Sequence, residues 1–206
     1  MTAGKVRALL FDLGGVVLDI DFNRAFEHWQ PVSRLSLDEI KAGFRFDDAY
    51  QQHERGEITA AQYFTHLCNT LQLQEGHACI AEGWNAIFLG EISETLAMIQ
   101  SARRQLPCYA FTNSNTAHQA AWSAMFPEVV QAFDRIFVSS DMGCRKPERQ
   151  AFDHIARDIR VDPQAILFFD DLAENVAGAQ AAGLQAVHVR GPADVRAALI
   201  EAGCRI

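Results

Sequence analysis

Five short apolar runs recur along the chain, each closed by polar or turn residues: Val6 to Phe11, Cys108 to Phe111, Arg135 to Val138, Ala165 to Phe169, and Gln185 to Val189. None is long enough for a helix, and continuous apolar runs of this kind suit strands covered on both faces. Between them the apolar positions take helical spacing over Glu94 to Arg104, Thr116 to Met125, Glu148 to Arg157, Ala173 to Ala182, and Ala193 to Ala202. Their ends carry the residues that helix ends favour. Pro147 and Pro192 precede the third and fifth, and Gly183 and Gly203 follow the fourth and fifth. Strand and helix alternate, so the pattern predicts an α/β fold with a doubly wound parallel sheet.

From about Phe22 to Phe88 the alternation stops and no convincing strand stands out. Thr59 with Gln62, ahead of Tyr63, Phe64, Leu67 and Leu71, has the spacing of a capping box, and Ser36 with Glu39 has it again. The stretch reads as a helical insertion after the first strand. The chain then divides into a core of residues 1–20 and 89–206 and an insertion of residues 21–88, of a size to cover the strand ends.

Composition narrows the partners. With 206 residues, 49% of them hydrophobic and 21% charged, the chain buries enough apolar surface to fold without staples. Its 26 acidic against 18 basic side chains give a net charge of −8. Without a basic stripe it has no means of neutralising a phosphate backbone, so a nucleic acid is not an expected partner. Five cysteines, odd in number and with no C-x-x-C pair, read as reduced thiols. Asp12 interrupts the early apolar stretch that a secretory signal would need, and no run spans a bilayer, so no membrane contact and a cytoplasmic location are expected. The seven histidines lack zinc-ligand spacing.

In open parallel sheets, ligands bind beyond the carboxyl ends of the strands. There the first run ends in Asp12-Leu13-Gly14-Gly15, the second in Thr112-Asn113-Ser114-Asn115, and the fourth in Asp170-Asp171, while the loop after the third carries Arg145-Lys146-Pro147-Glu148. Each has a bland reading as a turn, a cap or a solvated charge. Together they bring three carboxylates, a hydroxyl and an ammonium to one edge. Adjacent like charges at the end of a buried strand raise each other's pKa unless a cation sits between them. The joint occurrence points to a functional site.

These four elements resemble the motifs of the haloacid dehalogenase superfamily of phosphohydrolases, and the resemblance runs through nearly the whole chain. FDLGGVVLDIDFNRAF, QQHERGEI, RKPE and FFDDLAENV look most like the small bacterial sugar-phosphatase branch that includes glucose-1-phosphate phosphatases. The resemblance implies a Rossmann-like core with a helical C1 cap, a phosphatase of small phosphorylated metabolites, and a monomer or homodimer. It implies Asp12 as the nucleophile that forms an aspartyl-phosphate, with Mg2+ held by Asp12, the Gly14 carbonyl, Asp171 and Asp170. A carboxylate attacks a phosphate only where cations suppress their repulsion, and Mg2+ suits oxygen ligands. Lys146 would supply a second positive charge, with Thr112 and the Asn113 amide as donors to the phosphoryl group. Asn175, one helical turn beyond Asp171, would orient Lys146 or a metal-bound water.

Gly14 departs from the superfamily's pattern, which has a second Asp there as the general acid, a group worth about 10²- to 10⁴-fold in rate. Three explanations stay open. The leaving group is acidic enough to need little protonation, as in α-D-glucose 1-phosphate; or Asp19, Asp21 or a cap residue replaces the acid; or the site is vestigial and the chain is a slow phosphatase or a binding module. A 2-haloacid dehalogenase would use the same nucleophile on carbon, but it needs no metal and would leave Asp170 and Asp171 as an unneutralised pair. In the cap, Arg45 and His53, with Phe22, Glu54, Arg55 and Trp84, are candidate pocket residues, Trp84 by stacking on a sugar face. His118 reads as helix surface.

Overall fold

The computed structural model describes residues 5–206, so the first four residues of the expected core lie outside the described residues. Strand β1 (Ala8–Phe11) leads to a short strand β2 (Leu18–Ile20). Five helices follow: α1 (Asn23–Trp29), α2 (Leu37–Gly43), α3 (Asp48–Glu54), α4 (Ala60–Thr70) and α5 (His77–Asn85). Strand β3 (Phe88–Glu91) then opens an alternating series: α6 (Ser93–Ala102), β4 (Cys108–Thr112), α7 (Thr116–Met125), α8 (Pro127–Gln131) and β5 (Arg135–Val138). The series closes with α9 (Ser139–Met142), α10 (Arg149–Ile159), β6 (Ile166–Asp170), α11 (Ala173–Ala181), β7 (Gln185–His188) and α12 (Pro192–Glu201).

The five predicted runs form one parallel sheet in the order β5-β4-β1-β6-β7. Alternation along β1 and β6 sends Leu9, Phe11, Leu167 and Phe169 into one apolar layer and Ala8, Leu10, Ile166 and Phe168 into the other. Both layers are buried, which is why residues 8–11 and 166–169 are apolar at every position, whereas the outer strands β5 and β7 carry Arg135, Gln185 and His188. Phe11 and Phe169, paired across neighbouring strands, stack at 4.4 Å. Burying a side chain of this size contributes about 1.5–3 kcal/mol.

Both capping boxes form as the sequence predicts, at Ser36 and Thr59. Gly183 and Gly203 take φ of +96° and +86° just past α11 and α12, the left-handed turn a C-terminal glycine permits. Two features depart from the sequence reading. Phe88 is not the end of a helical stretch but the first residue of β3, which pairs antiparallel with β2, so the chain entering the helices and the chain leaving them lie side by side. Strands of three and four residues with partners about seventy positions away leave too little local pattern to find. The segment from Ser139, expected as loop, begins with the single turn of α9. A third apolar cluster, separate from the two sheet layers, fills the helices between β2 and β3 around Trp29, Trp84, Tyr63 and Leu71. No helix among the described residues is long and apolar enough to cross a membrane.

Candidate active site

Asp12 follows β1, Thr112 ends β4, Asp170 ends β6, and Lys146 lies in the loop beyond α9, so parallel strands bring all four to one edge. Lys146 organises the group. It is fully buried, and its Nζ lies 2.8 Å from Asp12 Oδ1, 2.8 Å from Asp170 Oδ2 and 3.0 Å from the Phe111 carbonyl. Its backbone is bracketed by Asn113, whose Nδ2 donates to the Lys146 carbonyl while its Oδ1 accepts from the Lys146 amide. Ser139 steadies the same loop by bonding both the amide and the carbonyl of Ser114.

Asp170 is equally fixed. Besides Lys146, it accepts from the Leu172 amide and from Asn175 Nδ2, so its two oxygens are engaged. Asn175 therefore bonds Asp170, where its spacing from Asp171 had suggested Lys146 or a metal-bound water. Asp12 Oδ1 takes both Lys146 and the Leu13 amide, and no contact among the described residues engages Oδ2. Burial pushes the Asp12 carboxyl up to about 8, with Asp170 and Asp171 adding to the push and Lys146 opposing it. Burial alone would lower Lys146, but the charges of Asp12 and Asp170 outweigh it and hold the ammonium above its ordinary value. Asp171 is also raised, by burial first and then by Asp170.

Ligand oxygens of Asp12, Asp170 and Asp171 lie within 4.8 Å of one another. Three ionised carboxylates would exceed the single ammonium, which is why burial pushes Asp12 and Asp171 toward their protonated forms, and a divalent cation would offset that charge instead. The backbone is shaped for the same purpose. Gly15 takes φ of +73°, and a Cβ there would stand 2.4 Å from Asp171 Oδ2, so only glycine lets that carboxylate close on the turn. Leu18 donates to the Leu13 carbonyl and accepts from the Gly15 amide, bracketing Gly14, and no backbone amide among the described residues donates to the Gly14 carbonyl.

The remaining candidates separate. Thr112 is buried at the strand end beside Phe111. Asn113 does not open the following helix, which begins at Thr116 with Asn115 as its cap, so its amide belongs to the loop. Arg45 is exposed and donates to the Phe44 carbonyl, and no contact among the described residues ties it to the carboxylates. His53 is buried against Tyr63. Trp84 is fully buried between Trp29 and His118, its two faces covered, so neither is open to a sugar. His118 is not helix surface: it is buried and its Nδ1 meets Asn85 Oδ1 at 3.0 Å. Asp21, two residues before α1, accepts from the amide and side chain of Asn23, which hold its carboxyl below the ordinary range. It stays ionised, a poor proton donor.

Sequence reasoning did not find the contacts that tie the helices to this edge. Glu54, at the end of α3, accepts from Arg145 Nε at 2.6 Å, and Arg55 reaches Glu148 at 3.1 Å. At Gly56 a Cβ would stand 2.6 Å from the Ser140 carbonyl, so the backbones nearly touch. The signal available was the complementary order of charges, Glu-Arg in one segment and Arg-Lys-Pro-Glu in the other.

The haloacid dehalogenase-like hydrolase model matches residues 6–183. The chain belongs to that family. A phosphatase of Mycobacterium tuberculosis is 26% identical over 191 residues, 88% of this chain and 86% of the relative. The D-ribitol-5-phosphate phosphatase of Bacteroides thetaiotaomicron is 23% identical over 196 residues, 93% of this chain and 95% of the relative. Among solved structures, a wild-type HAD family enzyme of the same bacterium, in complex with magnesium and inorganic phosphate, superposes with a TM-score of 0.77 at 26% identity. That match covers 88% of this chain and 92% of the other.

Proposed function

We propose that the protein is an Mg2+-dependent phosphatase of small phosphorylated metabolites, sugar or polyol phosphates foremost, acting through an aspartyl-phosphate on Asp12. Residues 1–20 and 89–206 would carry the chemistry and residues 21–88 would cap it. The observation that carries this reading is the buried Lys146 ammonium, 2.8 Å from both Asp12 and Asp170 within a three-carboxylate cluster. The names of the relatives and the magnesium and phosphate of the structural neighbour support it.

Asp12, Asp171 and the Gly14 carbonyl would hold the ion, with Asp170 as the carboxylate that fixes Lys146 beside it. Bound there, Mg2+ supplies the positive charge that lets a carboxylate approach a phosphate and offsets charge on the phosphoryl oxygens. Lys146, locked by Asp12, Asp170 and Phe111, keeps Oδ1 of Asp12 in place and leaves Oδ2 to attack phosphorus. As the Asp12–phosphorus bond forms, the ester bond to the alcohol oxygen breaks. Water then attacks phosphorus, releasing inorganic phosphate and freeing Asp12. The hydroxyl of Thr112 and the loop amides beside it donate to the phosphoryl group.

Proton supply to the leaving oxygen explains Gly14. A Cβ at that position would meet only the tip of the Ile20 side chain, at 2.9 Å, a contact that side chain can relieve, so what the glycine removes is the acid itself. A leaving group as acidic as an anomeric hydroxyl needs the least protonation, which favours 1-phosphates such as α-D-glucose 1-phosphate. A dehalogenase reading would leave the three-carboxylate cluster without its counter-charge. The test is phosphate release from a panel of sugar 1-phosphates, hexose and pentitol phosphates and nitrophenyl phosphate, with and without Mg2+. Turnover should require the metal and fall by at least about 10⁴-fold in Asp12→Asn. Release that ignores both the metal and Asp12 overturns the assignment.

A further inference from the structure

Lys146 lies in a turn that is gripped from the core and also from the inserted helices. The Glu148 amide donates to the Arg145 carbonyl at 2.9 Å and the Arg145 amide donates to Glu148 Oε2 at 3.3 Å, so the turn closes around Lys146 and Pro147. From the core, Asn113 holds the Lys146 backbone, and α11 backs the turn so closely that a Cβ at Gly178 would stand 2.5 Å from the Pro147 carbonyl. From the other side comes the end of α3. There Glu54 takes the Arg145 guanidinium at 2.6 Å, and Arg55 takes Glu148 at 3.1 Å.

The two pairs differ in their surroundings. The Arg55 and Glu148 side chains are 20% and 29% exposed, and ion pairs open to water contribute about 0–1 kcal/mol. Those of Arg145 and Glu54 are 16% and 6% exposed, and Glu54 is the one ion-pair partner of Arg145 among the described residues. A pair this buried adds little stability over apolar residues of the same size, because desolvation offsets the attraction, but breaking it from one side is costly. Its partners therefore keep one geometry. Glu54 is itself anchored: it accepts from Tyr50, one turn earlier on α3, and Tyr50 packs edge-on against Tyr63 and Trp84. Two residues on, Gly56 takes φ of +69° with its backbone against the Ser140 carbonyl.

Arg145 and Lys146 are consecutive, and their side chains diverge, one outward to α3 and the other inward to Asp12 and Asp170. A shift of the guanidinium reaches the ammonium through a single peptide. Burial raises the Glu54 carboxyl, Arg145 and then Tyr50 oppose the rise, and Lys146 opposes it further, so Glu54 stands within the field of the ammonium. We propose that Glu54 is a positioning residue for Lys146 that acts through Arg145: the buried pair fixes the turn so that the ammonium stays between Asp12 and Asp170. The inserted helices thereby set the charge partner of the nucleophile. The consequence for turnover rests on the phosphatase reading, whereas the coupling of Glu54 to Lys146 does not.

The test reads Lys146 directly. The chain has three lysines, and Lys5 and Lys41 are exposed. Exposed ammonium protons exchange with water too fast to be seen by NMR. In a chain isotope-labelled at the lysine nitrogens, in Mg2+ buffer, the one slowly exchanging ammonium should be that of Lys146, assigned by its loss in Lys146→Arg. Glu54→Gln should broaden or abolish that resonance and lower kcat about 10- to 100-fold with KM little changed, since a displacement of about 1 Å costs up to about 10²-fold. Glu54→Gln leaves a buried guanidinium without its counter-charge, so it is paired with Arg145→Gln, which makes the contact neutral at similar size; this double variant should melt near the wild type and show the same change at Lys146. Arg145→Lys, which keeps the charge, should retain more of the resonance and of kcat than Arg145→Gln. Arg55→Gln, at the exposed pair of the same helix end, should leave the resonance in place. A resonance unmoved in the double variant, or moved equally by Arg55→Gln, overturns the positioning role, and continued phosphate release then leaves the phosphatase standing. A wild-type chain with no slowly exchanging ammonium overturns it too, because Lys146 is then not held. A resonance lost in the double variant of a chain that hydrolyses no phosphate ester keeps the positioning role and removes the phosphatase reading.

Discussion

The carboxyl edge of the sheet and the ring run beneath α3 to α5 are both buried and both polar, yet they handle their polar atoms in opposite ways. At the sheet edge, Lys146 and Asp170 are held by charge and by Asn113, Asn175, Phe111 and Leu172, and Asp12 keeps one oxygen outside that network. Among the rings of His53, Tyr63, Trp84 and His118, four polar atoms have no hydrogen-bond partner among the described residues. Groups that must keep one geometry through every turnover are fixed by the protein itself, which is the preorganisation that makes electrostatic stabilisation effective. The rings carry no charge to fix and are held by packing alone, His53 on Tyr63, Tyr63 against Trp84, and Trp84 on His118. Breaking a fixed contact should therefore disturb both fold and chemistry, whereas removing an unpaired ring atom should leave stability unchanged or raised.

The largest effect is expected at Lys146. Lys146→Met removes the ammonium and leaves Asp12 and Asp170 facing each other across a buried gap. Breaking a buried pair from one side costs about 3–5 kcal/mol. Urea unfolding of the metal-free chain should show a loss of that order, and phosphate release should fall below detection. A variant of near-native stability would show that the carboxylates do not depend on Lys146. Gly15→Ala comes next. It forces a side chain into the left-handed region, at about 1–2 kcal/mol, and pushes on Asp171 from 2.4 Å. The concentration of Mg2+ needed for half-maximal activity should rise at least about 10-fold, and an unchanged requirement would remove Asp171 from the ion's ligands.

The same contrast decides what could be read from the sequence. The sheet was legible because strands buried on both faces are apolar at every position, and the edge was legible because Asp12, Thr112, Lys146 and Asp170-Asp171 each follow such a run. Even there, the partner of Asn175 was missed, since a spacing of four names a helix face and not the atom it meets. The rings were not legible. Trp84 looks like any aromatic free to stack on a ligand until Trp29 and His118 are found stacked with it, and His118 looks like surface until α5 packs on α7. Those contacts join residues more than thirty positions apart, and nothing in the local pattern encodes them. The pairing of β2 with β3 was lost for the same reason.

The smallest expected effect separates a ring that is merely buried from one that is held neutral. His118 sits at about 3 in the folded chain against an ordinary value of 6.5, with burial as the main cause and the neighbouring His53 second. As pH falls through 6.5 the unfolded chain takes up a proton at this position and the folded chain does not, so stability is lost progressively from 6.5 downward toward the folded value. The slope contributed by one such group approaches about 1.4 kcal/mol per pH unit. Raised carboxyls at Asp12, Glu54 and Asp171 act in the opposite direction, because each binds its proton more readily when folded. The informative quantity is therefore the difference between the wild type and His118→Gln. Between pH 6 and pH 5 the wild type should lose about 1 kcal/mol more than the variant in urea unfolding. Parallel curves would mean that His118 titrates normally in the fold, so that its burial leaves its protonation unaffected.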